Sequence, residues 1–197
     1  MPSFRPAERE RILAKLRATG AELLAGRGLR KTTLDELVGP SGIAKATFYS
    51  FFDSKEALYL DLMQEQISDI APRLHAAATS GRDARQSLMA LMQEIIDVLE
   101  TNPLYRRLLT HPDEMEAVGD RIGPAEIDRV QREMVQPLLD VIAAAQRDGA
   151  IVDADPATVF GVIRGVLLLP LHRDEFAEGY RDVLHLMINT VAAGLTR

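Results

Sequence analysis

The sequence specifies an all-α protein: an N-terminal three-helix helix-turn-helix domain followed by a helical body, about nine helices in all. Three observations carry this. Apolar residues recur at helical spacing along nearly the whole chain. No Asn-Gly or Asp-Gly hairpin joins two alternating runs, so strand signals are nearly absent. Capping residues, Pro and Gly then cut the chain into segments of helix length.

A first helix is expected over about residues 6–26, with Ile12, Leu13, Leu16, Leu23 and Leu24 inward and Gly26 and Gly28 ending it. Thr33 and Glu36 form a capping box, hydroxyl to the N3 amide and carboxylate back to the cap amide. It starts a short second helix that buries Leu34, Leu37 and Val38. "GPSG" at 39–42 stops this helix, because Pro40 lacks an N–H and disfavours helical angles at Gly39. A short third helix follows over about 44–50. Asp53 and Glu56 read as a second capping box, opening a helix through about residue 77 that Pro72 bends or breaks near its end. Leu58, Leu62, Met63, Ile67 and Ile70 line its inner side.

"TSGRD" at 79–83 links to a helix over 84–101, with Leu88, Met92, Ile95, Ile96 and Leu99 on one face. Pro103 opens a short helix to residue 110. Residues 111–123 are the least regular part of the chain. Pro124 opens a helix to about 147, "DADP" caps another over 156–172, and the last runs over 175–195.

Charge divides the chain unevenly. Through residue 58 there are ten Lys or Arg against seven Asp or Glu, a net +3, while the remainder carries −9 of the total −6. A basic head on an acidic body suits a small module that meets a polyanion, although ordinary surface scatter gives the same numbers. The absence of Cys excludes disulfides, thiolate metal sites and a Cys nucleophile. The longest apolar run, 165–171, is far short of the roughly 20 residues that cross a bilayer. A soluble, cytoplasmic protein without membrane contact is expected. No GxSxG, Walker A, GxGxxG or HExxH occurs, so no enzyme and no cofactor are expected. His111, Asp113, Glu114 and Glu116 lack metal-ligand spacing and read as a solvated acidic loop, with no metal.

Four of the ten aromatics, Phe48, Tyr49, Phe51 and Phe52, fall within five positions. Two short helices joined by a Gly-containing turn make a helix-turn-helix. Its second helix carries Lys45, Ala46 and Ser50 on one side, and small outward residues let a helix sit deep in a DNA major groove. Phe48 and Phe52 read as head core and Phe51 as a packing bridge to helix one or four.

The stretch "TTLDELVGPSGIAKATFYSFFDSKEAL" at 32–58 resembles the DNA-binding signature of the TetR family of transcriptional regulators. The resemblance implies a phosphate contact from Thr33, and contacts to base edges or nearby phosphates from Lys45, Ala46 and Thr47. It implies phosphate contacts from Tyr49 and Lys55 as well. Ser50 joins this DNA-binding set, and Arg5 and Arg9 would steer an N-terminal arm along the duplex. Ala44 departs from the hydroxyl residue usual at the recognition-helix cap, and Pro40 from a longer second helix; both bear on the docking angle.

The same resemblance implies residues 1–54 as the DNA-binding domain and 55–197 as a ligand-binding and dimerisation domain. A homodimer would read a pseudo-palindromic double-stranded site. Val166, Leu167, Leu184, Met187, Ile188, Val191 and Leu195 are the candidate interface, with burial inside one subunit as the alternative. Met89, Met92, Tyr105, Leu108, Met115, Met134, Phe160 and Arg164 are candidates to line a pocket for an unknown small-molecule effector. Arg164, on an apolar helix, would need Glu94, Asp97 or a ligand anion as its partner. The function expected is a repressor released from its operator by that ligand. The alternatives are an adaptor recruiting a protein partner and a helical small-molecule carrier or enzyme.

Overall fold

The computed structural model describes residues 4–111, 113–114, 128–129 and 131–197. Among them the chain is helical, with one isolated antiparallel bridge between Ile151 and Thr196. It divides into two compact units, residues 1–66 with 103–125, and residues 67–102 with 126–197. This division differs from a break at 54/55: the fourth helix belongs to both units, and a later segment returns to the head.

In the first unit α1 spans Pro6–Arg27, with Pro6 at the first helical position, where no N–H is needed. Gly28 ends it at φ +81°, a conformation that favours glycine. The capping box forms as expected and starts α2, Leu34–Val38. Pro40 then tightens the chain into a 3-10 turn over Gly39–Ser41, and Gly42 at φ +68° reverses it. The third helix, α3, is only Lys45–Phe48, shorter than 44–50. Ala44 offers no side-chain acceptor, and the chain beyond Phe48 continues as i→i+3 turns through Phe51.

Helix α4 spans Lys55–Thr79, and Pro72 lies inside it without ending it. Its cap is Ser54, whose hydroxyl accepts from the Ala57 amide at 3.1 Å, and not Asp53. Helix α6, Pro103–Thr110, packs on α1. Ile12, Leu16, Leu24, Leu37, Phe48 and Phe52, with Leu58, Tyr59, Leu62 and Leu104, form one head core.

In the second unit α5, Ala84–Thr101, is capped by Asp83 and buries Leu88, Leu91, Met92, Ile95, Ile96, Val98 and Leu99. Helix α7, Gln136–Arg147, follows a π-helical turn over Gln131–Val135. Pro137 lacks the N–H that would bond the carbonyl of residue 133, so the turn before it widens. The expected start at Pro124 lies outside the described residues. Asp155 caps α8, Pro156–Gly165, by accepting from the Ala157 and Thr158 amides. The expected helix over 156–172 breaks: α9 is a separate turn, Leu168–Leu171. Pro170 cannot donate to the Val166 carbonyl, and i→i+3 bonds at 166, 167 and 169 replace the α ladder. The last helix, α10, is Tyr180–Leu195, preceded by two 3-10 turns rather than starting at 175. Helix α5 packs against α8, α9 and α10.

Candidate nucleic-acid interface

The recognition segment is built from the core outward. Phe48 is fully buried, Phe52 lies 5.8 Å from it, and together they fix the roll of α3. That roll leaves Lys45, Ala46 and Tyr49 exposed, while Thr47 and Ser50 are half-buried. Tyr49 is 54% exposed, its ring held edge-on to Phe48 at 5.7 Å, so its hydroxyl faces outward from a fixed ring. The Ser50 hydroxyl donates to the Thr47 carbonyl at 2.7 Å and is already engaged within the head.

Several head cations brace the fold. Arg9 donates to the Ser50 carbonyl at 3.0 Å and lies 4.5 Å over the Phe51 ring, which also meets Phe4. Phe51 is thus the bridge to helix one. Arg17 grips Asp61 through two bonds of 2.7 and 2.8 Å. Arg27 pairs with Glu36. The Glu36 carboxyl is held below its ordinary range, first by the Thr33 amide, then by the Thr33 hydroxyl, with Arg27 adding to both.

Lys55 departs from the expected phosphate contact. Its ammonium donates to the Leu29 carbonyl at 2.8 Å and the Thr32 carbonyl at 2.7 Å. A four-carbon stem reaching two carbonyls of the α1–α2 turn ties that turn to the start of α4. The Thr32 hydroxyl completes the turn by donating to the Gly28 carbonyl.

Behind the same turn lies a buried ion pair. Arg107 meets Glu114 through bonds of 2.9 and 2.6 Å, and Glu114 is 6% exposed. The solvated loop expected at 111–116 is therefore wrong for Glu114, because Arg107 compensates its buried charge. A Cβ on Gly28 would fall 2.0 Å from both Arg107 Nη2 and Glu114 Oε1. The Tyr59 hydroxyl is buried without a partner among the described residues, and its pKa is pushed up to about 12, first by burial and then by Glu114.

What remains outward is a short set. Among the described residues Lys45 pairs only with Asp35. Arg5, Arg11, Arg30 and Lys31 are exposed, with no side-chain partner among the described residues. Arg30 and Lys31 were not singled out by sequence reasoning. Their signal was present: two consecutive cations directly before the Thr33 cap. Thr33 is exposed, its hydroxyl donating to Glu36 at 2.8 Å.

Two hollows lie among the described residues of the second unit. An apolar cavity of about 90 Å³ is lined by Leu88, Leu91, Leu138, Val141, Ile142 and Ile151. A polar cleft of about 220 Å³ lies between Asp97 and Glu100 of α5 and Arg173, Tyr180, Arg181 and His185. Neither contains Met89, Met92, Met134, Phe160 or Arg164. Arg164 is exposed, 5.9 Å from the Phe160 ring one turn earlier, so it needs no buried partner. Tyr105 belongs to the other unit, and the Leu108 side chain and Met115 lie outside the described residues. Among the described residues no group of His, Asp or Glu could hold a metal, and no helix is long and apolar enough to cross a membrane.

The expected dimer residues also sit differently. Val166, Leu167, Leu184, Ile188 and Leu195 are buried within the subunit, and Met187 and Val191 are half-buried. The large apolar side chains left exposed on these elements are Val162, Leu168, Val183 and Leu186.

Residues 16–62 match the family described as "Bacterial regulatory proteins, tetR family". The HTH-type transcriptional repressor KstR2 of Rhodococcus jostii is 25% identical over 145 residues, covering 73% of this chain and 70% of that protein. A TetR family transcription regulator of Marinobacter aquaeolei superposes with a TM-score of 0.74 at 16% identity, covering 98% of this chain and 99% of the other. The regulator FadR of Bacillus subtilis, solved with stearoyl-CoA, gives 0.69 at 13% identity, with 92% and 98% covered.

Proposed function

We infer that this chain, a DNA-binding transcriptional regulator of the TetR family, acts in the cytoplasm as a homodimeric repressor that a small-molecule effector releases from its operator. The observation that carries this is the outer face of α3. A core-locked short helix presents Lys45, Ala46 and Tyr49, with small Ala46 between the two polar residues. Such a helix fits a major groove about 12 Å wide. In this reading Lys45 reaches base edges, and Ala46 and Thr47 line the groove. Tyr49 donates to a phosphate, Thr33 holds the start of α2 through its capping box, and Arg30, Lys31 and Arg5 flank the backbone. Lys55 acts indirectly, by holding the α1–α2 turn.

The dimer face we assign is the exposed apolar set Val162, Leu168, Val183 and Leu186. A two-fold dimer places two heads on half-sites about one helical turn, roughly 34 Å, apart. The effector belongs to the second unit. The apolar cavity there, and the stearoyl-CoA held by the similar Bacillus subtilis regulator, favour a ligand with a hydrocarbon part. Binding need shift the operator-competent population by only about 1–3 kcal/mol to act as a switch.

The test is selection of duplexes from a random pool, followed by gel shifts of the enriched duplex across salt. A pseudo-palindrome should emerge, with affinity falling steeply as salt rises, because each neutralised phosphate releases counterions. No enriched sequence, or binding insensitive to salt, would sink the reading.

A further inference from the structure

We propose that Asp35 is a specificity-determining residue, holding Lys45 of the recognition helix away from the phosphate backbone and reserving it for a base edge. The inference rests on the DNA-binding reading above. Lys45 Nζ stands 2.8 Å from Asp35 Oδ2, bridging α2 to α3. The two side chains are 55% and 72% exposed, so the pair lies on the outer surface. Asp35 has no other side-chain partner among the described residues. Its neighbour Glu36 is committed to Thr33 and Arg27, so Asp35 is not needed for the capping box.

A carboxylate here has a selective effect. An ammonium has three donors, so Lys45 can keep Asp35 and still offer N–H groups to acceptors such as guanine O6 and N7. A phosphate approaching Lys45 brings a second anion against Asp35, and like charges at an interface are costly. Non-specific binding, which runs almost wholly on phosphate contacts, is therefore penalised more than base contact. Asp35 thus lowers affinity for random DNA while leaving the base-reading arrangement of Lys45 in place.

The test compares wild type, Asp35→Asn, Lys45→Met and the double variant. Each is titrated against the duplex enriched by wild type and against a random duplex of equal length. For Asp35→Asn, binding to the random duplex should tighten by about threefold to tenfold. Its log affinity against log salt should steepen by about one unit, because one more phosphate contact forms. Operator affinity should change less, so the ratio of specific to random binding falls. On the Lys45→Met background these effects should vanish, because Asp35 acts through Lys45. An unchanged ratio, equal tightening on both duplexes, or an effect that persists without Lys45 overturns the proposal. If wild type enriches no duplex, the DNA-binding reading itself fails, a different and separately visible result.

Discussion

At the scale of single residues, side chains that look alike in the sequence do different work. Lys45 and Lys55 flank the aromatic run symmetrically, yet Lys45 stands on the outer surface and Lys55 is bonded to two carbonyls. Lys55→Met should leave those carbonyls short of a donor and destabilise the head by about 1–3 kcal/mol, read as a lower Tm. The salt slope of DNA binding should change by far less than the one unit lost with a phosphate contact. A full unit lost with Tm unchanged would restore the phosphate role. Tyr59 makes the opposite case. Its hydroxyl is buried without a partner among the described residues, so Tyr59→Phe should be neutral or raise stability by up to about 1 kcal/mol. The sign with pH follows. The folded protein holds the phenolic proton to about 12, while the unfolded chain releases it near 10.0. Stability therefore falls as pH rises through that window, and Tyr59→Phe should remove this part of the alkaline loss in melts at graded pH.

At the scale of elements, boundaries follow local chemistry closely. The Thr33–Glu36 box, Asp83 before α5, and Asp155 before α8 all act within three residues of themselves. Such caps are legible because both partners lie in one stretch of chain. Glu36 also ties the box to pH. Its folded pKa is depressed, so its contribution is present above the unfolded value of 4.5 and is lost as pH falls through the folded one. In acid melts Glu36→Gln should show a smaller decline in Tm below that value than wild type; an equal decline would remove Glu36 from acid sensitivity. Elements depart from their sequence periodicity where a proline acts several residues upstream. Pro170 breaks the helix expected over 156–172 through the Val166 carbonyl, and Pro137 widens the turn before α7.

At the scale of the whole molecule, the exposed apolar side chains form the face on which we propose that copies meet. Leu186 is 70% exposed and Leu168 63%, whereas Ile188, two positions on, is buried. Leu186→Asp should give a folded protein that sediments as a monomer, because the charge meets only the partner face. Ile188→Asp should instead unfold the second unit, because it places an unpaired charge in the subunit core. A dimeric Leu186→Asp protein would move the interface elsewhere.

By itself the sequence determined the all-helical fold class, the Thr33–Glu36 and Asp155 caps, the Gly42 turn and the outward positions Lys45 and Ala46, whereas Ser50, expected beside them, is half-buried. Each rests on residues a few positions apart, where period and capping geometry suffice. The TetR resemblance at 32–58 rests on the same short-range pattern and falls within residues 16–62, which match that family's model. The tertiary structure alone decided what depends on distant partners. Lys55 finds its carbonyls 23 and 26 residues away. Glu114 becomes buried because Arg107 and Gly28 meet it, Arg164 emerges into solvent, and the apolar face of α10 divides into a core side and an exposed side. Periodicity states that a helix has an apolar side; only packing against α5 and α8 states which part of that side is covered.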